Sequence, residues 1–424
     1  MVLRFPQSST NNLRWICSEL DRPLSFRSSF VRNGLVVLLG ALSNFPASAE
    51  TLQPFFGASI VHDDNLLRLS SDRAGLNGYS ADTYRSIVAG LKIARPIGRQ
   101  SLSGMAKYSS VKFQRNGQLD YIGKDLSADW QWVLGTRLDG RIGASYQEVL
   151  APFADFHSDQ RNMRISKKQY ADGGWRFHSK WKLRAGYTKD QLSYELPSQR
   201  ANARTEESAM SGLDYLATSG STVGFQFRRL TGNYPGRRSF DASSFIDGYV
   251  QEEAKLNVLW LATGNTQVSF LGGWVQRKQH SDVHRVDRGT NARLIVDWAP
   301  TSRVKLVGQT WREFAAIEGA LIDDALNTGL SARATWDLSE KTQTMLDLKH
   351  ERRDFSPSTK AGNMLPSGSL TDSNNMVSVG WVYKPLRTLS LKLAVFREQR
   401  SGSAAAGTNS YNANGASFDV STQF

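Results

Sequence analysis

From about residue 97 onward the chain repeats one pattern roughly every 40 residues: an aromatic, a tight polar turn, then an alternating run that ends in charge. The stretches QWVLGTRLDGRIGASYQ, DYLATSGSTVGFQFRR, LWLATGNTQVSFLGGWVQRK, DWAPTSRVKLVGQTWRE, TWDLSEKTQTMLDLKHERRD and WVYKPLRTLSLKLAVFREQR all follow it. Turn centres fall near residues 97, 137, 179, 220, 264, 301, 340 and 386. Within each unit the apolar side chains recur at every second position. Leu389, Leu391, Leu393 and Val395 oppose Ser390 and Lys392; Leu330, Ala332, Ala334, Trp336 and Leu338 oppose Ser331, Arg333, Thr335 and Asp337. A helix would need apolar residues three and four apart, and that spacing fails here, so these runs are strands.

The connections alternate in length. One set is short, while the other is long and polar: Leu67 to Asp82, Arg229 to Ser244 and Asp354 to Asn375 are examples. Eight short turns join sixteen strands, and strands near Pro54–Asn65 and Tyr411–Phe424 bring the count to about eighteen. The expected fold is all-β, an antiparallel up-and-down transmembrane β-barrel with short periplasmic turns and long extracellular loops. A propeller would place four strands in each repeat of this length, and here there are two. Inside hydrocarbon an unpaired backbone amide costs several kcal/mol, so a spanning sheet must close on itself. An even strand count puts both chain ends on one side, where the first and last strands can pair.

Trp132, Trp175, Tyr215, Trp260, Trp298, Trp336 and Trp381 recur just before successive short turns. In a barrel they form a ring at one membrane–water boundary, where amphipathic rings prefer to lie. The chain ends on ASFDVSTQF, with Phe418, Val420 and Phe424 on one alternating face. This ending resembles the assembly signal that the barrel-insertion machinery of bacterial outer membranes reads.

Mean hydropathy is -0.41, too low for a bundle of membrane helices. Near the start, NGLVVLLGAL follows Arg27 and Arg32 and precedes Ala47-Ser48-Ala49. A basic flank, a short apolar stretch and small residues at Ala47 and Ala49 predict a secretory signal peptide over 1–49, with an unusually long N-region. The expected mature chain, 50–424, is a single barrel domain with no linker or composition shift. Cys17, the one cysteine, lies in the leader, so the mature chain has no disulfide or thiolate site. The leader also carries five Arg and two acids, so its removal takes the net charge from +13 to about +10.

Assigning the apolar face of each strand to lipid turns Lys107, Arg141, Lys182, Arg184, Arg228, Lys255, Arg293, Lys305, Arg333, Lys349 and Lys392 inward. Asp129, Asp172, Asp214, Glu253, Asp297, Asp337 and Asp347 share that side. Two readings stand side by side. The charges can pair across strands and brace the wall, or the bases can form a zone in mid-lumen that attracts anions. No catalytic constellation emerges. GQLDYIGKD has the wrong glycine spacing for a phosphate loop; His280 and His284 lie on a loop; Asp63-Asp64-Asn65 supplies too few ligands for calcium; His157 and Ser158 adjoin a loop, with no carboxylate geometry that argues for a hydrolase triad. The chain is expected to be no enzyme, with neither cofactor, metal nor nucleic acid as a partner.

The stretch LQPFFGASIVHDDNLLRLSSD, through Asp64, Asn65, Leu66, Arg68 and Leu69, resembles the mature start of EpsL-type outer-membrane proteins of exopolysaccharide biosynthesis operons. Leu67 departs from the Phe usual there. The resemblance implies a porin-type barrel that serves export of a polysaccharide, an acidic one included, alongside periplasmic export components, and implies no catalytic residues. The expectation is therefore a passive aqueous path for exopolysaccharide through the outer membrane. Its rivals are a general or anion-preferring porin for small solutes and a structural or adhesive barrel that acts through its loops.

Overall fold

The computed structural model describes residues 52–70, 78–154, 156–237, 247–280, 286–316, 322–357 and 370–424. The segment predicted as a leader, with Ala47, Ala49 and Cys17, lies outside them, as do His284 and the side chain of His280. Eighteen strands follow in chain order: β1 (Leu52–Asp63), β2 (Asp82–Ile97), β3 (Gln100–Phe113), β4 (Tyr121–Leu134), β5 (Leu138–Leu150) and β6 (Met163–His178). Next come β7 (Trp181–Tyr194), β8 (Arg204–Leu216), β9 (Thr222–Asn233), β10 (Gly248–Thr263), β11 (Thr266–His280) and β12 (Val286–Thr301). The last six are β13 (Val304–Ala316), β14 (Ile322–Asp337), β15 (Thr342–Pro357), β16 (Thr371–Tyr383), β17 (Leu389–Ser401) and β18 (Tyr411–Gln423).

Every strand pairs antiparallel with its sequence neighbours, and β18 pairs back onto β1 from Phe55–Gln423 to Asp63–Gly415. The sheet is a closed barrel of 18 strands. At the seam the Phe424 backbone N–H donates to the Pro54 carbonyl at 3.0 Å. The Gln423 side chain donates to Gln53 at 2.9 Å and accepts from Lys92 at 3.1 Å. Each turn read from the repeat falls at the junction of two consecutive strands.

The strands reach further into the long connections than the sequence pattern indicated. β9 runs to Asn233, β15 to Pro357, and β16 begins at Thr371. Polar residues still complete a backbone ladder above the bilayer and still pair across it, as Arg353 does with Asp372 at 3.0 Å. At the start, Asp64 and Asn65 lie in a turn beyond β1.

Outside, the barrel carries a continuous belt of bare apolar side chains: Ile87 is 66% exposed and Phe225 64%. Phe227 continues it on the same strand as Phe225, and Leu330, Val379, Leu393, Val395 and Phe418 on other strands. Soluble monomers rarely show an apolar patch beyond a few hundred Å². A belt that runs around the whole wall is stable only against hydrocarbon, and the barrel spans a membrane. Among the described residues no helix is long and apolar enough to do so.

The aromatic ring sits where the turn pattern placed it, with Trp175, Tyr215, Trp260, Trp298, Trp336 and Trp381 exposed on the outer face near the short turns. It is also denser than expected. Phe177 lies 5.8 Å from Trp175, Trp181 5.3 Å from Tyr215, and Tyr383 stacks on Trp381 at 5.9 Å. Trp132 behaves differently. Its indole lies flat over Gly140, its ladder partner, where any Cβ would collide with the ring, and against Gly173 on the next strand. Trp130, two residues earlier, is the exposed one.

Val379 faces lipid in the belt, opposite Val395 and two residues from the girdle residue Trp381. Val379→Arg is expected to destabilise the folded barrel by about 1–2 kcal/mol, between the cost of a lipid-facing arginine at the bilayer midplane and at the interface. Urea titration in lipid vesicles, followed by the heat-shifted band on a gel, measures it; a loss near zero would place Val379 away from lipid.

Candidate channel and its constriction

Alternation on each strand sends the partners of the belt residues into the lumen, and all eleven bases named from sequence face that way. Ten of them meet a carboxylate. Lys107 pairs with Asp125 at 3.0 Å, Arg141 with Asp172 at 2.8 Å, Lys182 with Asp139 at 2.6 Å and Arg184 with Asp214 at 2.5 Å. Arg228 and Lys255 both reach Glu253, at 2.8 and 2.9 Å. Arg293 pairs with Glu313 at 2.5 Å, Lys305 with Asp297 at 3.6 Å, Arg333 with Asp347 at 2.5 Å and Lys349 with Glu351 at 3.3 Å. Lys392 stands opposite Asp419 in the β17–β18 register. Of the acids named from sequence, Asp129 accepts from the Tyr170 hydroxyl and Asp337 from the Gln343 amide at 2.7 Å. The arrangement is the cross-strand bracing that alternation allows, with bases and acids in near balance along the wall.

Two inward groups went unnamed in the sequence reading. Tyr249 lies in the wall of β10, with the Arg277 guanidinium 4.0 Å above its ring and its hydroxyl donating to Glu206 at 2.6 Å. Gln251 accepts from Arg277 at 3.0 Å and donates to Glu253 at 2.7 Å, which joins this group to the Arg228 pair. Trp311 also points inward, with Arg293 and Lys349 each 5.8 Å from its ring. It lies over Gly329, its ladder partner, where a larger residue would strike the indole. An aromatic opposite glycine is visible in sequence only once the register is known.

Above this wall the lumen narrows. Beyond β1 the chain turns inward, and Leu66, Leu67 and Leu69 pack on Val111, Phe113 and Leu119, with Tyr84, Tyr121 and Phe153 against them. The N-terminal motif residues build this turn. Asn65 donates through its amide to the carbonyls of Leu69 and Asn412 at 2.8 and 3.0 Å, and accepts from the Leu69 N–H at 2.9 Å. Asp64 accepts from Asn414 at 2.7 and 2.8 Å. Arg68, at φ 55°, is the one non-glycine with a positive φ among the described residues, and its guanidinium bridges Asp63 at 2.8 Å and Glu398 at 3.0 Å. Burial opposes the charge on Arg68, yet Asp63 and Glu398 outweigh it, and its pKa lies above the ordinary arginine value.

A second segment meets the first. The His157 ring nitrogen lies 3.2 Å from the Leu67 carbonyl, and Arg400 donates to the Ala154 carbonyl. Ala154 and His157 connect β5 to β6, whereas Arg400 belongs to β17, so their contact runs through the interior. Arg400 is anchored in turn on Asp372 at 2.5 Å, both side chains fully buried. The Arg68–Asp63 pair is nearly as buried, and removing one partner of a buried pair typically costs about 3–5 kcal/mol. Arg68→Ala is accordingly expected to release residues 64–69 from the wall and raise single-channel conductance in a planar bilayer. Conductance unchanged from the parent would mean that this turn is not the narrow point.

No protein-family model and no curated protein matches the chain. Solved structures of similar form include OpdQ of Pseudomonas aeruginosa, at 10% identity and TM-score 0.48, over 88% of this chain and 98% of that one. OccK2 (OpdF) of Pseudomonas aeruginosa, in complex with glucuronate, is similar at 10% identity and TM-score 0.46, over 88% and 97%. OccAB3 of Acinetobacter baumannii follows at 8% identity and TM-score 0.45, over 89% and 99%. At these identities the likeness is one of fold.

Proposed function

We propose that this chain is an outer-membrane porin that passes small polar solutes along a charged lumen. The observation behind this reading is the combination of an apolar outer belt with an inner wall of ion pairs, narrowed by residues 64–69, Phe153, Ala154 and His157. A barrel of this strand number leaves an aqueous path unless segments fill it. The inward segments narrow that path without replacing the charged wall below them. Small solutes fit such a path better than an extended polymer does, so the general porin is preferred over exopolysaccharide export.

Export of a polysaccharide is the second reading, supported by the resemblance at Asp64, Asn65, Leu66, Arg68 and Leu69. It requires residues 64–69 to leave the lumen during passage. In either case Phe418, Val420 and Phe424 at the seam suit recognition by the barrel-insertion machinery, after a signal peptide has directed the chain across the inner membrane.

The deciding experiment is reconstitution. The mature protein in planar bilayers is expected to conduct small ions, and in vesicles to admit small sugars; a barrel that carries no current overturns the porin reading and leaves the loops as its working part. Loss of slime or capsule on gene deletion, with small-solute uptake intact, would instead favour export. A nearly balanced wall also predicts weak ion selectivity in the parent. Arg293→Glu with Arg333→Glu reverses two charges beside existing acids, and its reversal potential is expected to shift toward cations. A reversal potential identical to the parent's would remove these two residues from the ion path.

A further inference from the structure

The outer face has an asymmetry that the pore does not use. At the short-turn end the belt finishes in aromatics, but at the long-loop end, over β9 to β13 and on β17, it finishes in cations. Arg229 follows Phe227 by two positions on β9, and Arg397 follows Val395 by two on β17, so each lies on the lipid side about 6–7 Å along the strand from the belt. Arg229, Glu252, Gln276 and Arg288 form one ladder row across β9 to β12, with Lys278 two residues beyond and Arg312 on β13. These cations are far less neutralised than those of the lumen. Arg229 and Lys278 share the single carboxylate of Glu252 at 3.5 and 3.8 Å. Among the described residues Arg288 meets the Gln276 amide oxygen at 3.3 Å and no carboxylate. Arg312 and Arg397 have no carboxylate partner among the described residues and are exposed.

We infer that this collar is a binding surface for anionic, phosphate-bearing lipid headgroups of the leaflet at the long-loop end. Its depth selects the occupant: a guanidinium one step beyond a hydrocarbon-facing side chain stands at headgroup level. Its chemistry selects the charge, because a planar guanidinium takes two phosphate oxygens at once. Arginine supplies four of the five cations, and each adds a favourable interaction with an anionic surface. The inference depends on the belt facing lipid and is independent of whether the lumen conducts.

The test uses the mature barrel refolded in neutral detergent and offered equal amounts of phosphatidylglycerol and phosphatidylcholine, with retained lipid counted by native mass spectrometry. Phosphatidylglycerol is expected to be retained in several-fold excess. Arg229→Gln, Arg288→Gln, Arg312→Gln and Arg397→Gln together should bring that excess close to parity, since each surface cation contributes roughly 1 kcal/mol. The corresponding four-fold Lys variant should keep most of it, which separates lost charge from lost fold; the heat-shifted gel band verifies that both variants close. Equal retention of the two lipids by the parent overturns the proposal. Displacement by inorganic phosphate, at an ionic strength where chloride has no effect, also overturns it, since the site would then be one for free phosphate.

Discussion

The backbone amide governs this molecule. Hydrocarbon offers it no partner, so every N–H and C=O within the belt must be satisfied by a neighbouring strand, and no strand can be left at an edge. Closure of 18 strands follows, with β18 returned to β1. From closure come the even count, the shared side of the two chain ends and the strict division of side chains into lipid-facing and lumen-facing sets. The short turns and the aromatic ring are consequences of where that sheet meets water.

Inside, charge repeats along the wall what the ladder does along the backbone. Lys107 and Asp125, Arg141 and Asp172, Arg228 and Glu253, and Arg333 and Asp347 are direct ladder partners as well as ion pairs. Where such pairs stand open to lumen water, as Arg141 and Asp172 do at about a third exposed, each contributes little. Collectively they hold the wall's side chains against it and leave the bore without a strong excess of either sign. The narrowing is made by different means, a packed apolar turn clamped by one buried arginine, so charge and aperture are set by separate residues.

Much of this was legible in the sequence because a period of two admits few misreadings. The strand count, the turns, the girdle positions and the inward bases all rest on alternation alone. What escaped depends on register and on the third dimension. Trp132 shares the spacing of its ring neighbours, yet Gly140 and Gly173 let it lie flat. Trp311 and Tyr249 read as ordinary strand aromatics, since nothing local says that glycine stands opposite. Arg277 was passed over because its partners, Tyr249 and Gln251, lie on the preceding strand. The inward turn at 64–69 was visible only as a family resemblance; its anchor Glu398 is hundreds of residues away.

The seam between β1 and β18 ties together residues from opposite ends of the polypeptide, through contacts such as Phe424 to Pro54. Hairpins elsewhere can zip as they emerge, but this junction has to wait for β18 to arrive. Until then two raw strand borders remain open at once, inviting pairing with any foreign strand nearby. Delivery of the whole chain and sealing of the cylinder are thus a single event, and a prematurely stopped product is left with a permanent gap.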